Sequence, residues 1–168
     1  MKKMMFALAS AVLAASALAA VPKGWTDDFD AARKLAEKDA KPMLVLFTGS
    51  DWCIWCQRLE EQVLSQHAFS TVIPKEMVAV FLDFPNDGSV KPQRRMRNEE
   101  LARKYGVRGF PTVLLMDAEG KPFARTGFRP GGPEAYVKHL RELAKKAPGA
   151  KKAEKPAAPS SCAKPGAK

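Results

Sequence analysis

Two apolar runs, Met43 to Phe47 and Met77 to Phe84, are the chain's clearest strand signals. Each is short and bounded by turn residues, as buried strands are. Around them, apolar positions recur at helical spacing. Phe29, Ala32, Leu35 and Ala36 share one face of a helix over Thr26 to Lys38. Thr26 suits its cap, and Asp27 and Asp28 suit its positive end. Trp25 reads as a packing residue, and Lys41-Pro42 breaks the chain before the first run. A second helix is expected from Cys53 to about Gln66, with Cys56, Leu59, Val63 and Leu64 as its buried stripe. Arg58, Glu60, Glu61 and Gln62 then face water, and His67 caps or decorates its far end.

Pro85-Asn86-Asp87-Gly88 ends the second run. Ser89 to Asn98 carries Lys91, Arg94, Arg95 and Arg97 and allows two readings: an irregular insertion, or an early start to the next helix. Its cations are either solvated or a basic rim that selects acidic substrates. Glu99 to Tyr105 is helical and closed by Gly106. Val113 to Met116 is a strand, Asp117-Ala118-Glu119-Gly120 a turn, and Phe123 to Gly127 an antiparallel return strand. Gly131-Gly132-Pro133 opens a last helix. Its buried face is Tyr136, Val137, Leu140 and Leu143, with His139 exposed. The order of elements predicts one α/β domain over residues 20–147, a central mixed sheet flanked by helices.

Both ends differ in composition. Met1 to Ala19 has a basic start, an apolar stretch and small residues at Ala17-Leu18-Ala19, the pattern of an export signal. The apolar stretch is short for a span, so no membrane anchor is expected after cleavage. Residues 148–168 are rich in Lys, Ala and Pro and lack the apolar content to fold, so a disordered tail is expected. Cys162 lies in it, either as a free thiol or as a partner for another molecule or for the active site. The formal net charge is +10; with Lys2 and Lys3 removed from 28 basic residues, the net against 18 acids is +8. Solvated lysines account for that charge, and no nucleic-acid partner is inferred from it. Three cysteines are too few for a disulfide scaffold.

The chemistry concentrates in Thr48-Gly49-Ser50-Asp51-Trp52-Cys53-Ile54-Trp55-Cys56. Two thiols three positions apart at a helix start can bridge. Unpaired N–H groups and the positive end of the helix dipole stand beside the first sulfur and favour a thiolate, the attacking species in disulfide exchange.

Trp52-Cys53-Ile54-Trp55-Cys56 resembles the W-C-x-x-C site of the thioredoxin superfamily, and Tyr105 to Thr112 resembles that family's cis-proline segment. Gly49-Ser50-Asp51-Trp52-Cys53 is similar in particular to secreted bacterial members. The resemblance spans roughly Trp25 to Ala147. It implies a thioredoxin fold and an exported thiol–disulfide oxidoreductase, periplasmic or secreted and monomeric. Its partners would be proteins carrying disulfides or thiols, and an unidentified redox partner. No cofactor is implied. By the same resemblance Cys53 is the exposed, attacking thiol and Cys56 the more buried, resolving one. Pro111 is cis and lies against the pair, and the Phe110 backbone pairs with an extended substrate. Trp52 and Trp55 flank the thiols, and Phe110 biases the groove toward apolar substrates.

This sequence departs from the family pattern at three places. Leu44-Val45-Leu46-Phe47 holds no acid where the family carries a buried Asp. Phe81 stands where it carries a lysine. Water or Glu60 is then left as proton acceptor for Cys56. Ile54-Trp55 also replaces Gly-Pro between the thiols, so the direction of electron flow stays open. Two other readings exist. One is a Cu(I) carrier using the same thiols, which would want a third ligand that neither His67 nor His139 is placed to give. The other is a non-catalytic interaction domain. Structural zinc wants four ligands, and haem attachment needs His where Gln57 stands.

Overall fold

The computed structural model describes residues 21–148. The leader expected over 1–19 lies outside the described residues, as do residues 149–168 with Cys162. Five strands form one mixed sheet: β1 (Trp25–Thr26), β2 (Met43–Thr48), β3 (Val78–Asp83), β4 (Thr112–Met116) and β5 (Pro122–Thr126), in the order β1-β3-β2-β4-β5. β1 and β2 run parallel to β3, whereas β4 is antiparallel to both β2 and β5. Every residue of β2, β3 and β4 is buried. Strands covered on both faces need no polar alternation, which is why their sequences are near-continuous apolar runs.

Helices cover both faces. On one side lie α1 (Phe29–Asp39) and α5 (Pro92–Lys104). There Phe29, Ala32 and Ala36 pack on Val45, Phe47, Val80, Leu82 and Leu114. On the other side lie α2 (Ile54–Leu59), a π-helical turn (Glu60–Leu64), α3 (His67–Ser70), α4 (Ile73–Glu76) and α6 (Gly132–Ala144). Leu59, Val63, Phe69, Ile73, Tyr136 and Leu140 cover Leu44, Leu46, Phe81 and Leu115 there. Trp25 packs as expected, stacked on Phe69 and edge-on to Phe81.

Several expectations are corrected. α1 begins at Phe29, because the Asp28 carboxylate accepts the N–H groups of Asp30 and Ala31, both at 3.0 Å. Thr26 instead joins β1. Leu35 is 45% exposed: the helix buries the narrow stripe of Phe29, Ala32 and Ala36. The helix expected over 53–66 is interrupted. Ser65 N–H donates to the Glu60 carbonyl at 3.0 Å, a five-residue step that widens the turn. Ser65 Oγ also donates to the Glu60 carbonyl, and Gln66 Nε2 donates to the Glu61 carbonyl. His139 is half-buried and meets Thr126 Oγ1 at 3.0 Å. Of the two readings of Ser89 to Asn98, the helical one holds, with Pro92 in the first turn of α5. Its arginines do not form a free rim. Arg94 pairs with Asp27 at 2.6 Å, Arg97 pairs with Asp30, and Arg95 pairs with Glu99 at 3.3 Å.

Candidate active site

The site forms where β2, β3 and the loop before β4 end side by side. The chain leaves β2 at Thr48, and the next four residues are each held by one partner or more. Gly49 N–H points at Cys56 Sγ, 3.4 Å away. Ser50 donates its N–H (3.0 Å) and its hydroxyl (2.6 Å) to the Asp83 carboxylate. That carboxylate also accepts Phe84 N–H at 2.9 Å. Asp51 accepts the N–H groups of Asn86 and Asp87 at 2.9 and 3.1 Å. Trp52 Nε1–H donates to the Phe84 carbonyl at 2.8 Å. From the other side, buried Asn98 of α5 donates to the Asp83 carbonyl at 3.0 Å. Gly49 is required by space: a Cβ there would lie 2.5 Å from Cε2 of Trp52.

This loop delivers Cys53 as the N-cap of α2. Its sulfur accepts the Cys56 N–H at 3.3 Å, and its S–H is directed at the Phe110 carbonyl, 3.6 Å away. Both thiols are free. Cys56, one turn on, is 3% exposed. Burial, reinforced by hydrogen bonding to the Cys53 sulfur, pushes its pKa up to about 12. Gly49 N–H and the Thr48 hydroxyl pull the other way without prevailing. The first thiol is less open than the family resemblance implies: Cys53 is 7% exposed, its sulfur turned toward the Phe110 carbonyl.

The Phe110–Pro111 peptide bond is cis. Its loop is tied by Thr112 Oγ1, which donates to the Gly109 carbonyl at 2.8 Å. Phe110 meets Trp52 edge-on at 5.6 Å and Phe84 at 5.1 Å. The two tryptophans therefore separate. Trp52 joins the Phe84–Phe110 cluster, while Trp55 packs on Phe128 at 5.4 Å under the Arg58 guanidinium, 4.7 Å above its ring. Gly127 lies against the proline: a Cβ there would come within 2.9 Å of the Pro111 carbonyl oxygen.

Of the six residues singled out from the sequence, Cys53, Cys56, Trp52 and Phe110, with Pro111 next in the chain, come together, while Trp55 turns away to Phe128. Sequence reasoning missed Asp83, Ser50, Asp51 and Asn98, which hold the loop, and Arg58, Phe84 and Phe128, which frame it. A lone Asp closing an apolar run was the available signal for Asp83. Glu60 is half-buried, and burial holds its carboxyl above the usual carboxylate range. Among the described residues no acid bonds either thiol, and no cluster of three His, Cys, Asp or Glu is arranged to hold a metal.

The chain matches the model of the thioredoxin-like domain family over residues 29–144 and belongs to that family, which accords with a helix-capping thiol, a buried neighbour and a proline loop on a five-stranded sheet. It is a thiol–disulfide oxidoreductase. Among its relatives, the disulfide bond reductase DsbH of Chlamydia pneumoniae is 38% identical over 128 residues, 76% of either chain. A solved DsbH oxidoreductase structure superposes with a TM-score of 0.68 at 38% identity, over 71% of this chain and 83% of that one. The thiol:disulfide interchange protein DsbD of Actinobacillus pleuropneumoniae serotype 5b is 31% identical over 96 residues, 55% of this chain but only 15% of DsbD.

Proposed function

We propose that the protein is an exported disulfide reductase that takes disulfides in protein substrates. The observation that carries the reading is the setting of Cys53: its sulfur caps α2, accepts the Cys56 N–H and lies 3.6 Å from the carbonyl that precedes the cis proline. An extended substrate segment pairs with the Phe110 backbone by strand addition, bringing its disulfide to Cys53. The Cys53 thiolate attacks one substrate sulfur. The substrate S–S bond breaks, a mixed disulfide forms, and the other substrate sulfur leaves as thiolate. The Cys56 N–H meets charge on the Cys53 sulfur. Cys56 then gives up its proton to water and attacks Cys53 Sγ. The mixed disulfide breaks, and the substrate departs with two electrons gained, leaving a Cys53–Cys56 disulfide. A dithiol donor outside the chain restores the pair.

The reducing direction follows the relative named a disulfide bond reductase. The reading of Met1 to Ala19 as a leader puts the site outside the cytoplasm, and among the described residues no helix is long and apolar enough to cross a membrane. The test is insulin reduction with a dithiol donor, together with covalent trapping. Cys56→Ser should accumulate mixed disulfides through Cys53, while Cys53→Ser should neither trap nor reduce. Insulin left intact by the unaltered chain would sink the proposal.

A further inference from the structure

The rim of the redox pair combines open aromatic surface with unneutralised positive charge. Trp52, Ile54 and Trp55 are 48, 55 and 49% exposed, an apolar patch of the kind that marks an interaction surface. Three exposed arginines border it. Arg58 lies over the Trp55 ring, Arg129 follows Phe128, which packs on that ring, and Arg108 stands two residues before Phe110. Among the described residues none of the three forms an ion pair with a carboxylate. Most other arginines are engaged: Arg94, Arg95, Arg97 and Arg141 each meet an acid, and Arg33 and Arg125 donate to carbonyls; Arg103, in the last turn of α5, is the exception among the described residues. Two acids of the loops beside the pair are occupied, Asp51 by two backbone N–H groups and Asp83 by Ser50 and Phe84.

We infer that Arg58, Arg108 and Arg129 select substrate disulfides in extended protein segments where carboxylates alternate with apolar residues. The inference rests on the reductase reading and names its substrate class. Guanidinium groups grip carboxylates in a fixed fork, and the ring faces beside them take the apolar side chains. The acid-selecting surface thus lies around the thiols rather than at the start of α5, where Arg94, Arg95 and Arg97 are tied to Asp27, Glu99 and Asp30.

The experiment uses the full chain, pre-reduced, in single turnovers with three peptides. Each carries one disulfide, flanked by Asp and Leu, by Ser and Leu, or by Lys and Leu. Rates are divided by those with dithiothreitol, which removes intrinsic differences in disulfide reactivity; uncharged hydroxyethyl disulfide is the common reference. The acidic peptide should outpace the lysine peptide roughly tenfold at low salt. The ratio should collapse near 1 M salt, where screening acts within about 3 Å. Arg58→Glu with Arg129→Glu should flatten or invert it, and the salt series makes the same test without a variant. Equal rates for the acidic and lysine peptides, with the reference still reduced, overturn this inference alone. An unchanged ratio in the charge-reversed variant overturns the arginine assignment. A reference left unreduced overturns the reductase reading and this inference with it.

Discussion

Strand β2 is paired on both edges, to β3 and β4, and buried on both faces along its six residues. The loop that follows, Gly49 to Trp52, is held instead by single polar contacts to residues 83–87 and by one glycine without room for a methyl group. Many weak contacts share the work in the strand. In the loop each contact has a separate task, and the geometry of two sulfurs depends on all of them. Stability and activity should therefore separate between these two regions. Leu44→Ala, at a 1% exposed position of β2, should cost about 3 kcal/mol in urea unfolding. Activity per folded molecule should survive. A Leu44 variant that unfolds at the parental urea concentration would remove the strand side of the contrast.

The converse change is Asp83→Ala, which leaves Ser50 N–H and Ser50 Oγ–H without their acceptor, while Phe84 N–H keeps the Thr48 carbonyl at 2.9 Å. A loss of about 2 kcal/mol is expected. Insulin reduction should also slow at equal folded fraction, because Cys53 is positioned by this loop. Ser50→Ala removes only the hydroxyl contact and should cost about 1 kcal/mol. Full activity in folded Asp83→Ala would show that the loop keeps its shape unaided.

The same contrast explains what the sequence made legible. β2 and β3 could be read because burial on both faces writes a continuous apolar run. The thiols and the proline segment could be read because their residue types and spacing are the chemistry itself. The clamp could not. Asp83 looks like any turn-forming acid until the tertiary fold brings Ser50 against it, 33 positions away. The π-helical turn was hidden because Cys56, Leu59 and Val63 keep an apolar spacing that an unbroken helix would share. The pairing of Arg94 and Arg97 was hidden because their partners Asp27 and Asp30 lie on α1 and just before it. Leu35 misled because a two-helix face leaves only a narrow stripe covered.

Cys56 sharpens the comparison from the chemical side, since it is buried by the core yet used by the loop. With its pKa pushed up to about 12 by burial, only a small fraction is thiolate at neutral pH. That fraction grows tenfold per pH unit. Resolution of the mixed disulfide, followed by stopped flow from pH 6 to 9, should accelerate nearly tenfold per unit. A flat profile would mean that another group takes the proton in a concerted step. The linkage runs the same way. The unfolded thiol ionises near its ordinary 9.0 while the native one stays protonated, so Cys56 favours the native state fully below that value. The contribution is lost as pH rises from there toward about 12.

A smaller effect is expected at Gly49. Alanine there would place Cβ against the Trp52 ring, so the indole must move and give up its bond to the Phe84 carbonyl. About 1 kcal/mol should be lost. The indole N–H resonance of Trp52 should shift toward that of a solvent-bonded indole. An unmoved resonance would show that the backbone yields instead.

The smallest effect belongs to Glu60, which sits where the helix after the thiols widens. Burial raises its carboxyl pKa. The unfolded chain therefore loses this proton at lower pH than the native one does. Stability falls as pH rises from the ordinary carboxylate value through the raised native one. Glu60→Gln removes that slope. Relative to the parent, the variant should gain stability at pH 7 compared with pH 3.5, measured by urea midpoints, and mixed-disulfide resolution should keep its rate. If the variant instead resolves more slowly while its stability rises, Glu60 is the proton acceptor for Cys56. The core has then been opened at this one turn for the sake of the site.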